Sequence, residues 1–95
     1  MASMSEAMRV GVRPGDPGTL TVRFWAGARA AAGTDRVSMP VGTVKCVRAE
    51  LLAWQPDLAP VLEVSSLLAD GLVVGDDAEL DAGSTLEVLP PFAGG

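Results

Sequence analysis

The sequence predicts an α+β domain: a small mixed sheet of about four to five strands packed on one main helix. Three observations carry that expectation. Apolar residues alternate cleanly through Thr19–Trp25 and again through Ser84–Pro90. A helical stripe fills Thr43–Gln55 between them. Strands therefore stand both before and after the helix, and one helix can cover only one face of the sheet they build.

The elements follow in order. "TLTVRFW" (Thr19–Trp25) puts Leu20, Val22 and Phe24 on one face and Thr21, Arg23 and Trp25 on the other, as a half-buried strand does. "AGARAAAG" (Ala26–Gly33) reads as either a short helix or a loop, with Gly33 available as a C-cap. "DRVSMPV" (Asp35–Val41) alternates again through Val37, Met39 and Val41. Pro40 cannot donate to a ladder, so this strand belongs at an edge or ends there. Its short link to the first strand predicts antiparallel neighbours. In "GTVKCVRAELLAWQP", Thr43 can cap and Pro56 stops a helix whose stripe is Val44, Val47, Leu51 and Gln55. Leu52 and Trp54 flank that stripe; Cys46, Glu50 and Ala53 lie opposite. "DLAPVLEV" is a loop or a short turn of helix, and "SSLLADGLVV" two short strands about the turn "ADG". "DDAELDAG" reads as turns, with Asp76, Asp77 and Glu79 solvated rather than holding a metal. In the last strand, "STLEVLP", Leu86 and Val88 share one face and Thr85, Glu87 and Leu89 the other.

If the final strand lies beside the first, the two run parallel and the helix occupies the crossover. That arrangement is the ubiquitin-like β-grasp roll, one of several small α+β folds the pattern allows. Residues 1–17 stack turn-formers in "RPGDPG" and show no apolar period, so a flexible tail is expected there. The β-grasp domain is expected over 18–90, and a mobile C-terminal tail ending Gly-Gly over 91–95.

Composition narrows the function. The 95 residues suffice for one domain. A net charge of −5 argues against nucleic acid and suits a partner with a basic surface. The longest apolar runs fall short of a membrane span, and the opening residues lack an apolar signal region. No membrane association is expected, and a cytoplasmic location is. The single Cys46 forbids an internal disulfide and fits a reducing compartment; on the polar helix face it reads as inert. Histidine and tyrosine are absent, which removes the usual general base near neutral pH and disfavours a free-standing enzyme.

The chemistry then falls to the ending, "LPPFAGG". Pro90 and Pro91 fix φ and favour an extended exit, so the tail is expected to leave the body from Pro90. Phe92 to Gly95 then reach roughly 13 Å, at about 3.3 Å per residue. Gly94 and Gly95 can thread a narrow channel because they lack a Cβ. There the Gly95 carboxylate can attack the α-phosphate of ATP, and a sulfur nucleophile can displace AMP to leave a thiocarboxylate. Both first reactants are anionic, so the catalysing partner must bring Mg²⁺ or Arg/Lys. Two terminal glycines arise by chance roughly once in 200 chains, so the ending is weighed with its context. Phe92, apolar beside the chain end, is expected to meet a partner. Trp25 is either an interface residue or packed under Ala26–Gly33. Arg29 is a solvated side chain or meets an acidic patch on the partner.

With those residues in view, the chain resembles the ubiquitin-like sulfur carriers, most closely the small subunit of molybdopterin synthase. "VRFWAGARAAAGTD" (Val22–Asp35), "TVKCVRAELLA" (Thr43–Ala53) and "DGLVVGDDAELDAGSTLEVLPPFAGG" (Asp70–Gly95) carry the resemblance. It implies a ubiquitin-activating-type adenylating enzyme that uses ATP and Mg to activate Gly95, with no cofactor bound by this chain itself. It implies a sulfurtransferase that completes the thiocarboxylate. It also implies the large subunit of molybdopterin synthase as acceptor of the tail, with Pro91, Phe92, Ala93, Trp25 and Arg29 facing partners and Gly94 and Gly95 at the reacting end. Carriers for thiamin thiazole, cysteine, tRNA thiolation or secondary metabolites share the ending, as do ubiquitin-like protein modifiers; a plain binding module with an idle tail is a third class. One departure stands out. Family members often carry an asparagine near the third-strand turn, where this chain has Ala69 in "LLADG", so a different turn is expected.

Overall fold

The computed structural model describes residues 18–91. The tail expected over 1–17, and all of the expected C-terminal tail except Pro91, lie outside them. The elements in order are β1 (Thr19–Phe24), α1 (Ala26–Ala32), β2 (Arg36–Pro40), β3 (Gly42–Thr43) and α2 (Val44–Trp54). A 3₁₀ turn (Pro56–Leu58), α3 (Ala59–Val64), β4 (Ser66–Ala69), β5 (Leu72–Val73), β6 (Glu79–Leu80) and β7 (Thr85–Leu89) follow. Five strands form one sheet in the order β2-β1-β7-β4-β5, and β3 pairs with β6 apart from it. β1 and β7 run parallel in the centre, with Val22 opposite Leu86; the other pairings are antiparallel.

The alternation of the strands decides what is buried. Leu20, Val22 and Phe24 of β1 and Leu86 and Val88 of β7 form the inner face, and α2 lays Val44, Val47 and Leu51 over it. Full burial of each such side chain stabilises by about 1.5–3 kcal/mol before chain entropy is subtracted. Ala26–Gly33 settles as helix. Alanine favours it, and Gly33, at φ 79°, closes it with an N–H to the Arg29 carbonyl at 2.9 Å. Ala28 and Ala32 are buried, so α1 meets the core through methyl groups.

The N-terminus of α2 shows how a distant segment is fixed. The Cys46 N–H donates to Thr43 Oγ1 at 3.2 Å, the expected cap. The Val44 and Lys45 N–H groups donate to the Ala78 and Asp76 carbonyls, at 2.9 and 3.0 Å. Arg48 Nη2 reaches Asp76 Oδ1 at 2.7 Å. Of the donors that every helix start leaves open, one is thus taken by the cap and two by residues some thirty positions later.

Four expectations are corrected or sharpened. "DDAELDAG" is not all turn: Glu79–Leu80 pairs with Gly42–Thr43, and Leu80 is buried. "DLAPVLEV" is a 3₁₀ turn running into helix, with Leu58 and Leu62 in the core. Gln55 leaves the α2 stripe, because the helix ends at Trp54 and Gln55 is extended at φ −143°. Pro90 does not begin the exit. It is fully buried, continuing the inward series Leu86, Val88.

Replacing Thr43 with alanine is expected to lower stability by about 1 kcal/mol and replacing it with serine by less. A shift in the urea midpoint without a change in slope checks this. Leu51→Ala should cost about 2–5 kcal/mol in the same measurement.

Candidate functional site at the C-terminal exit

Because β1 and β7 are parallel, their C-terminal ends lie at the same end of the sheet. The ladder closes with Phe24 opposite Val88 and with the Trp25 N–H on the Val88 carbonyl at 3.2 Å. Beyond that bond the two chains part. β1 turns into α1 at Ala26, whose φ of 49° lies in the left-handed region and costs a residue with a Cβ roughly 1–2 kcal/mol. The Trp25 carbonyl accepts from the Ala28 and Arg29 N–H groups at 2.9 and 3.4 Å, so its backbone is held from both sides.

The Trp25 ring is left 37% exposed. The Arg23 guanidinium lies over it, 4.8 Å from the ring centre. Arg23 was not singled out by the sequence. The available signal was its place two residues before Trp25, on the same strand face. Arg29 is exposed on α1, and its side chain makes no ion pair or hydrogen bond among the described residues. Pro90 is buried and Pro91 exposed, so the exit begins at Pro91. Phe92, Ala93, Gly94 and Gly95 lie outside the described residues.

The β4–β5 turn is built on Asp70 and Gly71, both at positive φ, 50° and 89°. This is the Asp-Gly pattern of a two-residue hairpin loop. Ala69 makes no side-chain hydrogen bond, as expected, but Asp70 does. Its Oδ1 accepts from the Thr85 N–H at 3.2 Å, and its own N–H donates to the Thr85 carbonyl at 3.0 Å. The turn is thereby tied to the first residue of β7, the strand that carries the exit.

Cys46 is exposed in the first turn of α2, on a different element from the exit. Among the described residues no group of three or more His, Cys, Asp or Glu is placed to hold a metal ion. No helix among them is long and apolar enough to cross a membrane.

Parallel central strands, a helix in the crossover and a chain leaving from the end of the last strand define a ubiquitin-like β-grasp protein. The chain belongs to the ThiS family, whose model it matches over residues 22–95. It is a small ubiquitin-like carrier protein of the ThiS type. Its fold is similar to that of SAMP1 from Haloferax volcanii, with a TM-score of 0.73 and 22% identity over 82% of this chain and 100% of that one. The Haloferax volcanii protein HVO 2177 matches at TM-score 0.68 and 31% identity, over 90% of this chain and 95% of that one. A subunit in the complex of subunits 1 and 2 of molybdopterin-converting factor from Helicobacter pylori matches at TM-score 0.62 and 19% identity, over 81% and 99%. No curated protein sequence matches.

Asp70→Ala should destabilise the domain by about 1 kcal/mol, since the Thr85 N–H loses its side-chain acceptor. Asp70→Asn, which keeps an oxygen there and tolerates positive φ, should recover most of that loss in thermal unfolding.

Proposed function

We propose that the chain is a sulfur carrier whose Gly95 is adenylated, converted to a thiocarboxylate, and used to donate sulfur in molybdopterin biosynthesis as the small subunit of molybdopterin synthase. The observation that carries this reading is the family match, which runs to Gly95, beyond a body in which Pro90 is buried and Pro91 exposed. The complex of two subunits in the Helicobacter pylori protein supports a larger partner for a body of this shape.

The steps balance. A Gly95 carboxylate oxygen attacks the ATP α-phosphorus and pyrophosphate leaves. A sulfide-equivalent sulfur then attacks the acyl carbon and AMP leaves with the former carboxylate oxygen. This chain supplies the acyl group. An adenylating enzyme of the ubiquitin-activating type supplies Mg²⁺ and cationic side chains, and a sulfurtransferase supplies the sulfur. Gly94 and Gly95 enter the catalytic channel, Pro91, Phe92 and Ala93 span its mouth, and Trp25 and Arg29 meet the partner's rim. Ordering the tail costs on the order of 1–2 kcal/mol per residue, which contacts from the body must offset. A reducing, cytoplasmic setting suits a thiocarboxylate. The likeness to a small archaeal modifier protein favours one second reading, in which the activated Gly95 is joined to a lysine of a target.

Intact mass spectrometry separates the readings. Incubation with the adenylating enzyme, ATP, Mg²⁺ and a sulfur donor should add one sulfur-for-oxygen exchange, at Gly95 only. Isopeptide ladders in cell extract would support the modifier instead. Gly95→Ala should fold normally and lose most thiocarboxylate formation; full turnover by that variant would refute the narrow-channel requirement. If removal of Gly94 and Gly95 left the biological activity intact, both acyl-transfer readings would fall.

A further inference from the structure

We propose that Arg23 and Arg36 together receive a carboxylate side chain of a partner protein that docks on the sheet face turned away from the helices. The two arginines stand directly opposite each other on β1 and β2. The Phe24 N–H donates to the Asp35 carbonyl at 2.9 Å, so the neighbouring pair Arg23–Arg36 is a non-hydrogen-bonded one, where side chains come closest. Like charges in that position oppose folding.

The fold does little to relieve them. Arg36 Nε lies 3.8 Å from Asp35 Oδ1, but both side chains are more than half exposed, and such a pair contributes little. Glu87 lies opposite Arg23 on β7, yet no ion pair forms between them. Arg23 Nε is shut away from solvent and has no hydrogen-bond partner. With Nε closed off and the guanidinium carbon 4.8 Å from the centre of the Trp25 ring, the outer nitrogens are the ones left to bind. The stack already orders the side chain, so less entropy is lost on capturing an anion.

The register also gives this face a direction. Arg36, Arg23, Glu87, Leu68 and Val73 form one continuous row across the five strands. The row is cationic at the β2 edge and apolar at the β5 edge, where Val73 is 74% exposed. A protein surface with an acidic side chain beside an apolar one matches it. A polyphosphate or nucleic acid matches it less well, because its many charges would also meet Glu87 and a net charge of −5, whereas a single carboxylate needs only the arginine end of the row. The row's arginine end lies beside Trp25, next to the exit, so capture of the carboxylate would set the tail's direction into the partner. The inference rests on the carrier reading only for its choice of probe.

The test uses the full chain, with the adenylating enzyme as probe in ATP–pyrophosphate exchange. The double variant Arg23→Gln/Arg36→Gln should raise the KM for the carrier roughly 10- to 100-fold, with kcat at saturation nearly unchanged. The free double variant should melt no lower than the wild type, because it relieves repulsion; a merely structural pair would lower the melting point. An unchanged KM, or a clear fall in melting temperature, would overturn the proposal. Saturable binding of inorganic phosphate by the wild type, lost in the double variant, would replace the carboxylate with a phosphate. If the wild type supports no exchange, activation of Gly95 fails. The arginine pair is then judged by calorimetry against the synthase large subunit, where equal affinity of both chains, or no binding by the wild type, overturns it.

Discussion

The parallel pairing of β1 with β7 is the constraint on which the other features depend. Residues near the two ends of the described chain meet at the sheet's centre, Val22 against Leu86 and Phe24 against Val88. Closing so long a loop costs entropy that no local contact repays. The return comes from burial, since Val22, Leu86 and Val88 are fully shielded beneath α2. A parallel pair also needs a crossover, and α2 lies within it. The sheet, the helix that covers it and the point where the chain leaves are therefore consequences of a single pairing.

A second set of long-range bonds keeps α2 from sliding over that sheet. Its first N–H groups are held by Thr43, Asp76 and Ala78, and the β3–β6 pair brings the loop carrying the last two to the helix start. This arrangement matters for a carrier. On the proposed reading the tail gives up freedom when it enters a partner, and a body that is already ordered offsets that loss more readily. The burial of Pro90 extends that ordered body to the residue just before Pro91.

Much of this was legible in the sequence because strand alternation and helical spacing are local. Thr19–Trp25, the Thr43 cap, the Val44–Val47–Leu51 stripe and the final strand each announce themselves within a few residues. β3 and β6 did not, because strands of two residues are too short to alternate. Pro90 was misread because a proline pair signals an exit, whereas its inward position continues a pattern set by Leu86 and Val88. Arg23 was passed over for a different reason. Its significance lies in what stands opposite, Arg36 on one side and Glu87 on the other, and register is a property of the folded sheet. At the exit itself the sequence named Trp25, Arg29 and the last five residues, of which the structure describes Trp25, Arg29 and Pro91.

The two ends of the sheet carry different features, although each holds one arginine Nε that is buried without a hydrogen-bond partner. Where α2 begins, helix donors, a threonine cap and an ion pair are matched among themselves, while Arg48 Nε is shut away without a hydrogen-bond partner. Where the chain exits, Ala26 takes a conformation its Cβ disfavours, two arginines face each other, an arginine Nε is buried unpaired and a tryptophan ring is exposed. The strained Ala26 backbone, the facing arginines and the unpaired Nε each oppose folding by an amount comparable to one good hydrogen bond. A marginally stable small domain keeps such features where something outside the chain compensates for them. Their coincidence at the end of the sheet that carries Pro91 is what the proposed docking of a partner would relieve.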